Sequence, residues 1–207
     1  VREAIGSKVD ILVEVHGKLD VNTAIGIGKK LARLNPMFYE EPIPMGNPNA
    51  LAKVAKEVDI PIAAGERLYT RRGFMEYLEK GAIEVIQPDV GNSGGILEVS
   101  KKIASMADAY FVPMAPHNPC GPIQTAATLH VDACTPNFLI QEFIPYTESI
   151  RKPLFLSVDW AYEAEYWKRK DSFVELTNRP GLGIELRMDE LIKYLLPYSL
   201  PKLPSPQ

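Results

Sequence analysis

Six ionisable residues recur along this chain at nearly one interval: Glu14, Glu40, Glu66, Asp89, His117 and Glu142. By subtraction the gaps are 26, 26, 23, 28 and 25 residues. That interval is the length of a strand plus its return helix, so each residue is expected from one of six successive βα units. Parallel strands would deliver all six functional groups to the same rim.

Each of the six ends a short apolar run. Val9-Asp10-Ile11-Leu12-Val13 leads to Glu14, Phe38-Tyr39 to Glu40, and Ile60-Pro61-Ile62-Ala63-Ala64-Gly65 to Glu66. Ile83-Glu84-Val85-Ile86-Gln87-Pro88 leads to Asp89, Tyr110-Phe111-Val112-Pro113-Met114-Ala115-Pro116 to His117, and Phe138-Leu139-Ile140-Gln141 to Glu142. Short β-branched and aromatic runs between turn residues read as buried parallel strands. Helical patterns begin between them, near Asn22, Asn47, Thr70, Gly94 and Gly121. Residues 94–109 are the clearest amphipathic helix, with Ile96, Val99, Ile103 and Met106 on one face. Strands alternating with such helices form right-handed crossovers, which keep all strand C-termini on one side. An open doubly wound sheet and a closed barrel both satisfy the pattern. Functional side chains at every strand end favour the barrel, because an open sheet concentrates its site at one switch point.

A full eight-stranded barrel takes about 250 residues, whereas this chain fits six units into 207 residues. It opens on Val1-Arg2-Glu3-Ala4, which reads as the tail of a helix. The expectation is therefore a partial TIM-type (β/α) barrel, strands 3 to 8, forming the C-terminal part of a larger polypeptide. Residues 1–150 would be the barrel and residues 151–207 a segment packing back on the barrel or on a capping domain. Alone, such a remnant would leave two open sheet edges, a liability for aggregation.

Composition narrows the partners. A formal charge of −3 provides no basic field to attract nucleic acid. No apolar stretch approaches the roughly 18 residues needed to span a bilayer, and no signal peptide is visible. Cys120 and Cys134 fall at the two ends of one expected helix, about 20 Å apart at a rise of about 1.5 Å per residue, too far for a disulfide. They read as packing residues of a cytoplasmic chain.

Three glutamates from successive strand ends are hard oxygen ligands that suit Mg²⁺. Singly, each also reads as a solvated loop residue or an arginine partner; three in phase make that reading weak. No cysteine or histidine cluster with zinc spacing competes. The chain has three histidines. His16 lies two residues beyond Glu14, on the same side if the strand persists. His117 follows the strand after Asp89, and neighbouring barrel strands can bring that carboxylate to its ring, fixing its tautomer and raising its basicity. His130 falls inside the helix expected over residues 121–133 and reads as structural.

The ordered set of Glu14-Val15-His16-Gly17, Tyr39-Glu40-Glu41-Pro42, Ala64-Gly65-Glu66-Arg67-Leu68-Tyr69, Gln87-Pro88-Asp89 with Gly94-Gly95, Pro116-His117-Asn118-Pro119 and Gln141-Glu142-Phe143 resembles the enolase superfamily. The mandelate racemase subgroup is closest, in particular its acid-sugar dehydratases such as galactonate dehydratase. The match runs over residues 9–142, and Pro180-Gly181-Leu182-Gly183-Ile184 resembles the family's C-terminal segment that packs on the capping domain. The resemblance implies Mg²⁺ ligands at Glu14, Glu40 and Glu66, with Glu41 behind them. It implies an Asp89–His117 general base, Glu142 as partner to enolate oxygens, and His16 as the acid that protonates the departing hydroxyl. It implies a small sugar acid as substrate, a homo-oligomer, and a capping domain that selects the substrate. One departure concerns the first ligand, which is aspartate in the galactonate enzyme and Glu14 here; the extra methylene moves the carboxylate by about an ångström.

The chemistry implied is removal of the C2 proton of an aldonic acid and loss of its C3 hydroxyl, giving a 2-keto-3-deoxy acid. Abstraction α to a carboxylate builds charge that a Lewis acid can stabilise. A racemase or epimerase of the same subgroup would need a second base opposite His117, and a barrel without activity would need none of these groups.

Several further patterns carry less. Gly26-Ile27-Gly28 and Gly181-Leu182-Gly183 are fragments of glycine motifs, and Gly91-Asn92-Ser93-Gly94-Gly95 reads equally as a phosphate cradle or a tight βα turn. Trp160, Tyr162, Tyr166 and Trp167 read as packing residues, and residues 200–206 as an extended tail.

Overall fold

In this computed structural model residues 1–144, 169–176 and 178–185 are described. Trp160, Tyr162, Tyr166, Trp167 and the proline-rich tail lie outside them.

The short apolar runs form parallel strands in sequence order. These are β1 (Leu12–Glu14), β2 (Phe38–Glu40), β3 (Ile62–Ala64) and β4 (Val85–Ile86), joined as one sheet with order β1-β2-β3-β4. Parallel bridges from Ile86 to Met114 and from Met114 to Phe138 continue it through two further strand positions. The runs over residues 110–116 and 138–141 therefore pair at single points rather than as full strands.

The return helices follow. They are α1 (Arg2–Ile5), α2 (Val21–Leu31), α3 (Pro48–Glu57), α4 (Thr70–Glu79), α5 (Gly95–Glu98), α6 (Ala104–Ala109) and α7 (Pro122–Ala133). Capping fixes two starts: Asp20 accepts from the backbone N–H groups of Asn22 and Thr23, and Asn47 accepts from that of Ala50 ahead of Pro48. The helix expected over residues 94–109 is interrupted by a π-helical turn, Val99–Ile103, between α5 and α6. Ser100 Oγ bonds back to the Ile96 carbonyl at 2.7 Å there. The widened turn shifts the buried face, so Ser100, Ala104 and Ala107 join Val99 and Ile103 inside.

Alternation along the strands sorts side chains to two faces. Tyr39, Ile62, Ala64, Ile86 and Met114 belong to the large core between sheet and helices. Phe38, Ala63, Val85 and Ala115 form a second, smaller cluster on the opposite, inner face. β3 is buried along its whole length, as a strand covered on both sides must be. This is a partial TIM barrel. Leu12 on β1 and Phe138 and Leu139 at the other edge are exposed hydrophobics. Beyond residue 144, β5 (Arg169–Lys170) and β6 (Phe173–Val174) make an antiparallel pair. Val174, Leu182 and Ile184 pack with Phe143 against Ala126 and Leu129 of α7. Among the described residues no helix is long and apolar enough to cross a membrane.

Candidate active site

Register brings the first two glutamates together. In the β1–β2 pair Leu12 stands opposite Phe38 and Glu14 opposite Glu40. Glu40 shares its face with Phe38, so both carboxyls project from the inner face at the C-terminal rim. Burial and the neighbouring Glu14 and Glu142 carboxylates push the Glu40 carboxyl up to about 8, since two adjacent carboxylates do not both ionise readily.

Glu66 arrives from the turn after β3. Gly65 sits at φ 152° there, and a Cβ on it would lie 2.8 Å from the Gln87 backbone. Only glycine lets the chain leave β3 so close to β4. Glu66 Oε1 lies 3.6 Å from His16 Nδ1, and Oε2 lies 3.4 Å from His117 Nε2. Its pKa is raised, chiefly by burial and further by the charges of Glu14 and Glu142, against the opposing charges of His117 and His16.

His16 reaches this cluster by an unexpected route. β1 ends at Glu14 and His16 adopts φ 57°, so a left-handed turn, not a continued strand, carries its ring inward. Its Nδ1 is also 3.6 Å from Glu14 Oε1. The turn is pinned by the neighbouring loop, through Val15 N–H to the Glu40 carbonyl (3.1 Å) and Gly17 N–H to the Glu41 carbonyl (2.7 Å).

Asp89 and His117 form a dyad, Oδ2 to Nδ1, at 2.8 Å. The buried Asp89 also accepts from the Asn92 N–H at 2.8 Å. Burial alone would raise its pKa, but these hydrogen bonds prevail and the net shift is downward. For His117 burial pulls the pKa down, yet the Asp89 bond and the charges of Glu66, Glu142 and Asp89 prevail and raise it. With Nδ1–H donating to Asp89, Nε2 is the nitrogen directed at Glu66.

Glu142 is held beside this dyad by the next residue in sequence. Its Oε2 accepts from the Asn118 N–H at 2.7 Å, while the buried Asn118 amide donates to the Glu142 carbonyl at 3.3 Å and to Thr125 Oγ1 at 3.0 Å. Sequence reading gave Asn118 no such role; its place between His117 and Pro119 was the available signal. Arg67 was likewise missed, although it directly follows Glu66. Its Nη2 lies 3.2 Å from Glu66 Oε1, and its Nη1 binds Oε2 of the fully buried Glu41.

Other candidates resolve simply. Residues 91–95 make a tight turn in which the Ser93 N–H donates to the Asp89 carbonyl and the Gly95 N–H to that of Val90. His130 lies on α7, half-buried. Cys120 and Cys134 are both free thiols, and Cys134 is exposed rather than packed because α7 has already ended at Ala133. Cys120 Sγ stands 3.9 Å from Asp89 Oδ2, and burial and that charge push the thiol up to about 11, which removes it as a thiolate nucleophile.

The donor set fits a divalent cation. One ligand atom each from Glu14, His16 and Glu66 lie within 4.8 Å of one another, and Glu40 adjoins them through Glu14. A cation would relieve the repulsion between these neighbouring carboxyls. Predominantly oxygen donors suit Mg²⁺ or Mn²⁺.

The chain resembles known proteins in the same sense. Residues 1–190 match the family model described as Enolase C-terminal domain-like. A structure from Burkholderia SAR-1, provisionally named a mandelate racemase/muconate lactonizing enzyme, is 40% identical with TM-score 0.83, over 96% of this chain and 47% of that one. A member of the enolase superfamily from Salmonella Typhimurium is 38% identical with TM-score 0.84, over 93% and 47%. Another Salmonella enterica serovar Typhimurium structure, provisionally named a dehydratase, is 38% identical with TM-score 0.85, over 94% and 47%. The chain thus spans about half the length of these relatives.

Proposed function

The chain belongs to the Enolase C-terminal domain-like family, and we propose that its barrel performs Mg²⁺-dependent dehydration of an aldonic acid to a 2-keto-3-deoxy acid. The observation that carries this reading is that two histidines flank one carboxylate. His16 Nδ1 is 3.6 Å from one oxygen of Glu66, and His117 Nε2 is 3.4 Å from the other. Dehydration needs a base for the C2 proton and an acid for the C3 hydroxyl, both beside the carboxylate end of the substrate.

Glu14, Glu40 and Glu66 would hold the cation, with His16 beside them. When bound, Mg²⁺ supplies the Lewis-acid charge that stabilises a substrate carboxylate as its α-proton leaves. His117 takes that proton on Nε2, and Asp89 keeps Nδ1 protonated and stabilises the resulting imidazolium. Glu142, held by the Asn118 N–H, faces the developing enolate oxygens. His16 protonates the C3 hydroxyl as it departs, and the enol product then tautomerises. The provisional dehydratase name of one relative supports this reading.

The test is metal content together with formation of 2-keto acid from a panel of stereoisomeric aldonic acids. The reading expects bound or activating Mg²⁺ and turnover of at least one. Inversion at C2 with the hydroxyl retained would instead favour a racemase; absence of both metal and turnover in the full-length protein would exclude the enzyme.

A further inference from the structure

Glu41 combines three unfavourable features beside the site. It is fully buried, it adopts φ 36°, and its Oε1 has no hydrogen-bond partner among the described residues. A buried carboxylate and a non-glycine residue in the left-handed region are each unfavourable, and both persist only where surrounding structure enforces them. Here the enforcement is visible. The Glu41 N–H donates to the Ala63 carbonyl at 3.0 Å, and its carbonyl accepts from the Gly17 N–H at 2.7 Å. Its other oxygen, Oε2, is paired with Arg67.

Arg67 does not stop at Glu41. Its second terminal nitrogen reaches Glu66 Oε1 at 3.2 Å, the oxygen that also faces His16. A planar guanidinium fixed at one nitrogen by a buried carboxylate has its other nitrogen aimed, which a lysine cannot reproduce.

We propose that Glu41 and Arg67 are positioning residues that set the orientation of the Glu66 carboxylate and so determine the affinity of the site for its divalent cation. The inference rests on Glu66 being a metal ligand. Charge alone predicts the opposite sign: removing Arg67's positive charge would strengthen attraction for a cation, whereas losing its orientation weakens binding. Arg67→Lys keeps the charge and discards the fork. Glu41→Gln keeps the shape and discards the anchoring charge.

The experiment is titration of the protein with Mn²⁺, read by electron paramagnetic resonance or calorimetry, on unmodified protein, Arg67→Lys, Glu41→Gln and the double variant. Partners behind a ligand typically contribute about 10–100-fold to metal affinity. Each single variant is expected to lose about tenfold or more, and the double variant little beyond that, because both act through one contact. Arg67→Lys alone decides the matter if Glu41→Gln does not fold. Mn²⁺ affinity within twofold of the unmodified protein in folded Arg67→Lys would overturn the positioning role while leaving the metal site standing. Absence of Mn²⁺ binding by the unmodified protein would overturn the metal site and this inference together.

Discussion

Glu14 and Glu40 stand directly opposite one another across β1 and β2, which sets their carboxyls side by side at one rim. Glu40 is thereby held up to about 8, burial being the largest cause. A cation binds the ionised form, so below that value it must displace a proton. Mg²⁺ binding is expected to release about one proton near neutral pH, with apparent affinity rising by up to about tenfold per pH unit and levelling above about 8. Calorimetry in buffers of different ionisation enthalpy measures this; an affinity flat from roughly pH 6 to 8 would contradict it.

Two glycines in α2 have opposite expected responses to alanine. A Cβ on Gly26 meets nothing within 4 Å, so Gly26→Ala is expected to stabilise by about 0.5–1 kcal/mol through helix propensity. A Cβ on Gly28 would lie 2.6 Å from Val58 Cγ1 and 3.3 Å from the Tyr39 ring, both buried. Gly28→Ala is expected to cost about 1–3 kcal/mol, as overpacking does. Denaturant midpoints of the two variants, moving in opposite directions, are the check.

Asp132 near the end of α7 has both carboxyl oxygens buried without a hydrogen-bond partner among the described residues, and burial pushes it up to about 8. Its folded-state pKa is raised, so the folded chain keeps its proton where the unfolded chain has lost it. Stability on this account is full below about pH 4, falls as pH rises, and reaches its lowest level above about 8. Asp132→Asn is expected to remove that slope and to exceed the parent by about 1–3 kcal/mol at pH 8, the difference vanishing near pH 4. Unfolding free energies of both proteins across that range, differing equally at every pH, would contradict it.

The rhythm of ionisable strand ends was legible because each unit repeats one physical unit, a buried strand and its amphipathic return. Register then follows, since Glu14 and Glu40 end equivalent runs. Pairings that depend on turns were less legible. His16 reaches Glu66 through a left-handed residue that no periodicity announces. Arg67 follows Glu66 in a loop, and only the fold shows that it also pairs with the buried Glu41. The π-helical turn over Val99–Ile103 was hidden because a one-residue widening leaves the hydrophobic pattern almost intact.

The central claim is that His117 acts as base and His16 as acid on one substrate. Proton magnetic resonance in D₂O, following C2 hydrogen exchange and loss of the C3 hydroxyl in an active aldonic acid, separates the two steps. His117→Asn, which leaves Asp89 without its imidazole partner, is expected to abolish exchange and dehydration alike. His16→Asn is expected to retain exchange while dehydration falls by about 10²–10⁴-fold, the usual contribution of a general acid. Dehydration at an undiminished rate by correctly folded His117→Asn protein would contradict the account.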